Sequence, residues 1–139
     1  MTPVDQEFLH DPENGIHGDC MRACVASILN LPISEVPHFG EGDALHNAEI
    51  YWNNLANYLA TKGLFHLELN SFDLEISKCP TDIYHLIYGK TIRGTEHATV
   101  GRNGELIHVP HPSKAGLVGN KEDWTFGFLI PIFNTNEPQ

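Results

Sequence analysis

The dipeptide Asn103-Gly104 constrains this chain more than any other feature. A two-residue type I′ turn needs positive φ at both central positions, and its twist matches that of paired strands. On either side lie strand-like runs, His97 to Arg102 before the turn and Glu105 to Val109 after it. Together they predict an antiparallel hairpin. Its register follows from the turn: Arg102 opposite Glu105, Thr99 opposite His108, Ala98 opposite Val109. Because side chains alternate faces, His97, Thr99 and His108 then share one face. His108 lies diagonal to His97, about 7–8 Å away between backbones. Val109 falls on the other face, and a bulge would exchange the two.

Upstream the periodicity is helical. Asp19 is a good N-cap for a helix from Cys20 to about Asn30, with Pro32 stopping it. Ile33 to Phe39 contains Pro37 and reads as a short turn or one helical turn after Ser34. A second helix runs from about Asp43 or Leu45 to Lys62, its stripe Ala48, Tyr51 or Trp52, Leu55 and Leu59, with Gly63 at C′. Leu64 to Leu69 alternates apolar and polar, as a half-buried strand does. Ser71 to Thr81 is ambiguous, broken by Cys79-Pro80. Ile83 to about Ile92 is a further strand, 110–123 is a loop, and Trp124 to Phe133 closes the chain as a strand. Helices first and a mostly antiparallel sheet second make the class α+β. Residues 1–18, with two prolines and two glycines, form an arm or loop on a single domain spanning 1–139.

Composition narrows the function classes. At 139 residues and 41% hydrophobic, the chain can build one core. A net charge of −10, with 8 Lys+Arg, offers no basic stripe for a phosphate backbone, so nucleic acid is not expected as a partner. No apolar run approaches the ~20 residues of a membrane span, so no membrane partner is expected. The polar, acidic stretch from Met1 to Pro12 lacks a signal-peptide pattern. With three cysteines and no disulfide framework, a cytoplasmic protein is expected.

The chemistry concentrates in Gly18-Asp19-Cys20 and in the His97 strand. A thiol at a helix start meets unpaired N–H groups and the positive end of the dipole, which favour thiolate. A histidine beside it completes the minimum for nucleophilic acyl transfer. Cys24 reads as core packing and Cys79 as an incidental thiol. His10, His38, His46, His66 and His85 read as surface or structural histidines. His111 either lines the cleft or begins a turn.

Asp19-Cys20-x-x-Ala23-Cys24 resembles the helix start of bacteriocin-processing C39-type cysteine peptidases. The NlpC/P60 peptidases also set their nucleophile after an Asp, and their His strand, turn and following strand resemble His97 through His108. Both belong to the papain-like fold, and the chain is similar to small papain-like proteins of tailed phages. The resemblance covers Gly18 to Phe39 and His97 to Leu117. It implies a papain-like domain with Cys20 as nucleophile and His97 as base, then as acid to the leaving group. C39-type enzymes carry an oxyanion-binding Gln six residues before the Cys, where this chain has Asn14. Their His is oriented by the Asp of an Asp-Pro pair, and the matching pair here is Val109-Pro110. NlpC/P60 enzymes use a polar residue, often His, one strand along. The hairpin register selects His108 for that role, with Asn14, Asp19 and His111 as candidate oxyanion or substrate contacts.

The expected activity is a cysteine hydrolase cutting an amide or peptide-type bond of a peptide or protein substrate through a thioester. No cofactor is expected. If the chain is phage-encoded, it acts on a host or virion component in the host cytosol. Two alternatives stand beside this. One is a non-catalytic papain-like module that binds a host protein or small signalling molecule. The other is zinc held by Cys20, Cys24, His108 and His111, although Pro110 and the strand end disfavour that geometry.

Overall fold

In the computed structural model, which describes residues 1–70 and 75–133, the helical and alternating segments fold as their periodicities demand. Helix α1 (Cys20–Leu29) ends at Asn30, whose φ of 57° is the left-handed conformation that Asn tolerates. Its start departs from expectation, because Asp19 makes no cap bond. The carboxylate instead accepts the Phe8 N–H at 2.8 Å and the Arg22 guanidinium at 3.3 Å. Asp19 is buried, and these tertiary partners outcompete the cap.

A 3₁₀ turn at Ile33–Glu35 follows Pro32. The second helix starts at the first residue of its apolar stripe, later than the expected Asp43 or Leu45. Gly42–His46 is 3₁₀, and α2 (Ala48–Thr61) begins once the Asn47 side chain accepts the Ile50 N–H at 3.3 Å. Gly63, with φ 69°, supplies the left-handed residue after the helix.

Strands β1 (Leu64–Asn70), β2 (Tyr84–Lys90), β3 (Glu96–Arg102), β4 (Glu105–His108) and β5 (Thr125–Pro131) form one antiparallel sheet in the order β1-β5-β2-β3-β4. The fold is α+β, with α1 packed on β3 and α2 on β1. Of the ambiguous stretch Ser71 to Thr81, residues 71–74 lie outside the described residues, and Ile76–Lys78 is a 3₁₀ turn. Val25, Val36, Leu55, Leu59, Leu86 and Val100 are buried between helices and sheet.

The turn itself matches the sequence reading. Asn103 and Gly104 have φ of 49° and 89°, and buried His85 accepts the Gly104 N–H at 3.0 Å. The register does not match. Arg102 pairs with Glu105 and Gly101 with Leu106, but Val100 then pairs with His108, so Ile107 is an extra residue. Gly101 is the cause we identify. A Cβ there would lie 2.6 Å from both His85 Cε1 and Ile87 Cδ1, so β2 side chains press against the bare backbone where the ladder slips. The bulge moves His108 to the face of Ala98 and Val100. One step on, it brings Val109 opposite Thr99, on the face of His97.

The arm is ordered along α1 and β4. Thr2 and Val4 donate to the backbone and hydroxyl of Ser27, at 3.0 and 2.9 Å. Gln6 N–H donates to the Pro110 carbonyl at 3.1 Å. His108 Nε2 donates to the Val4 carbonyl at 2.7 Å.

Candidate active site

Cys20 and His97 wall one cavity of ≈ 570 Å³, set between the start of α1, the start of α2 and the helix-facing side of the sheet. Cys20 arrives there as the first residue of α1. His97 arrives as the second residue of β3, and Ala98 beside it also lines the space. The topology therefore joins the two motifs that the sequence singles out.

The sulfur meets a dense environment. Burial pushes the Cys20 thiol above its ordinary value, against the pull of the Ala98, Met21 and Cys20 N–H groups; the Asp19 carboxylate adds to the rise. A thiolate ready at rest, as the helix start implies, is thus corrected to a protonated thiol. Desolvation outweighs the helix terminus here. Because Asp19 does not cap α1, the first N–H groups of the helix remain available to the sulfur.

His97 is only 8% exposed, and its Nε2 is buried without a hydrogen-bond partner. Burial, then nearby His111 and Arg93, push its pKa down to about 4. The ring also walls a crevice of ≈ 10 Å³ with Val109, His111 and Ser113. His111 stands edge-on at 5.8 Å between ring centroids, its Nδ1 engaged with Ser113. His111 thus contacts His97 but does not wall the large cavity.

His108 as orienter of His97 is overturned. The bulge turns it to the other face, where it holds Val4 and lies 3.8 Å from Asp5. Asn14 is exposed and donates to Asp11 at 2.7 Å, and it is not among the cavity walls. Asp19 is committed to Phe8 and Arg22 rather than to the cavity. Cys24 is buried in the core. Among the described residues, no group of three or more His, Cys, Asp or Glu is arranged to hold a metal ion. The zinc alternative therefore finds no geometric support.

The remaining walls were not legible as site residues. Tyr51 and Trp52 of α2, read as a core stripe, face the cavity together with His17, Glu68, Tyr88 and Glu96. Trp52 stacks on His66 with centroids 5.8 Å apart and 7° between planes. His66 Nε2 meets the Tyr88 hydroxyl at 2.5 Å. Burial raises the Tyr51 and Tyr88 hydroxyls and lowers His17, so all three are uncharged at neutral pH. No helix among the described residues is long and apolar enough to cross a membrane. Compared with family models, with curated proteins and with solved structures, the chain matches none of them.

Proposed function

We propose that this protein is a Cys-His thiol hydrolase of papain-like type that cleaves an amide or peptide bond through a thioester. The observation that carries the reading is the meeting of Cys20, at a helix start, and His97, at a strand start, on the walls of one cavity. At neutral pH the resting pair is thiol and neutral imidazole, given the raised thiol and lowered histidine. His97 takes the thiol proton as the sulfur attacks the acyl carbon. The oxyanion that forms is stabilised by the Cys20 N–H, left uncapped at the helix start. The bond to the leaving nitrogen then breaks, with His97 returning its proton to the amine. Water, deprotonated by His97, hydrolyses the thioester and frees the sulfur.

The protein's charge and cysteine content suit a reducing cytosol, and the likeness to phage-encoded proteins makes a host or virion component the expected target. Cys20→Ala and His97→Ala should each remove burst acylation and lower turnover by about 10³-fold or more. Unchanged turnover of a confirmed substrate by Cys20→Ala overturns the reading.

One observation favours a second reading, a binding module on the same scaffold. Val109 faces the side of His97 where an orienting carboxylate belongs, and Nε2 has no partner. Under that reading Cys20 resists iodoacetamide at neutral pH while partner binding survives its substitution.

A further inference from the structure

The walls of the large cavity are charged with one sign. Glu68, from the helix-facing side of β1, and Glu96, at the start of β3, both line it. Among the described residues that wall it, none is Lys or Arg. Its other titratable walls do not offset the two carboxylates. They are His17, His46, His97, Cys20, Tyr51 and Tyr88, none of them a permanent cation; burial lowers His17 and His97 and raises the Cys20 thiol and both tyrosine hydroxyls. The nearest counter-charge is Lys90, 4.0 Å from Glu96 in a pair whose side chains are 66% and 70% exposed. A pair so exposed is worth little and exchanges readily with another cation.

Between the carboxylates the surface is aromatic and apolar. Trp52 is 41% exposed, held edge-on by Tyr51 and stacked on His66. Met21, Ala44 and Leu45 complete that wall. Glu68 acts on both His66 and Tyr88, so its charge lies beside this aromatic group. Aromatic faces attract cations as well as burying aliphatic stems. A cavity of ≈ 570 Å³ takes a short peptide segment and not a single side chain alone.

We propose that the cavity selects substrates carrying a lysine- or arginine-type side chain beside the scissile bond. The stem lies on Trp52 and Tyr51 and the charged head lies against Glu68, while Glu96, three strands away in the sheet, adds negative field from the far side of the cavity. This rests on the hydrolase reading for the word substrate, but the cation preference is a property of binding and is tested without turnover.

The test uses the full chain with Cys20→Ala and calorimetric titration with N-acetylated tetrapeptide amides. These are identical except for one central residue, Lys, norleucine or Glu. The Lys peptide should bind about 10-fold or more tighter than the Glu peptide, with norleucine between. Adding Glu68→Gln and Glu96→Gln should bring that ratio below about 3-fold, though it removes only two charges from a net −10. Glu68→Lys, with exposed Glu68 on the strand surface, should reverse the order. A ratio below about 2-fold overturns the proposal, as does failure of all three peptides to bind. A ratio that the double Gln variant leaves intact also overturns it, since the preference then belongs to the overall charge. Lys-selective binding without turnover in the unsubstituted protein upholds the cation site and sinks the hydrolase; turnover indifferent to that residue does the opposite.

Discussion

The two halves of the site are built to different standards. Around Cys20, Asp19 and Arg22 are both engaged: Asp19 holds the arm and Arg22, Arg22 also donates to the Val36 carbonyl at 2.6 Å, and backbone N–H groups converge on the sulfur. Around His97 the opposite holds. A buried nitrogen has no partner, an apolar Val109 stands on its face, and the nearest charges are cationic. The contrast teaches that the Cys20 thiol is positioned by the fold, whereas the basicity of the His97 imidazole is depressed by it. A low-pKa histidine is a weak base that stays available over a wide pH range.

The largest way to break the contrast is to dismantle the Cys20 side. Asp19→Ala leaves Arg22 and the Phe8 N–H without their buried acceptor and should cost about 3 kcal/mol or more of unfolding free energy. Asp19→Asn, which can still accept from Phe8, should cost less. Urea midpoints of the two variants check this. Equal stabilities would mean that the arm does not depend on that carboxylate.

Acid attacks the His97 side. Its pKa is about 4 in the folded protein against 6.5 as the ordinary value, so the unfolded chain binds more protons between those limits. The stability it contributes is full above pH 6.5 and is lost as pH falls toward 4, about 2–3 kcal/mol from this group. His17, His66, His85 and His111 are shifted down as well and push in the same direction. Unfolding free energy should therefore fall steadily from pH 7 to pH 4, and His97→Gln should flatten part of that slope. A slope untouched by His97→Gln would assign the acid lability elsewhere.

A smaller effect would make the two halves alike. Val109→Asp sets a carboxylate on the face of the imidazole, which favours the charged ring and raises its pKa. Titration of the His97 ring proton by NMR should move upward by about 1 unit or more, with faster alkylation of Cys20 at pH 6. Val109→Asn, which adds an acceptor without charge, should move it less. The smallest effect belongs to His108. Its hydrogen bond to Val4 ties down the arm rather than the His97 ring, so His108→Gln should cost about 1 kcal/mol and leave the His97 titration where it was. A shifted His97 titration would return His108 to the site.

Much of the fold was legible because local signals and tertiary packing agree. The Asn103-Gly104 turn, the Asn30 and Gly63 helix ends and the Leu55–Leu59 stripe all fold as their residue types require. The register of the hairpin failed, although Gly101 inside an otherwise strand-like run is the usual mark of a bulge and signalled the slip. Asp19 failed for a different reason: its partners Phe8 and Arg22 are assembled by the arm, which no local window contains. In β1 the alternation was legible, but not which set of residues faces the helices. Phe65 and Leu69 are exposed at 51% and 36%, while His66 stacks under Trp52 and Glu68 lines the cavity. Polar residues turned toward the helices contradict a simple core, and such contradictions gather where a cavity has to be walled.

The most direct test of Cys20 and His97 as a working pair is the pH dependence of Cys20 carboxamidomethylation, followed by mass spectrometry in the unsubstituted protein and in His97→Ala. Imidazole-assisted attack predicts a rate that rises around pH 4, where His97 loses its proton, and stays level until the thiol itself ionises. In His97→Ala the level region should vanish, leaving only the alkaline rise. Identical profiles for the two proteins would contradict the pairing.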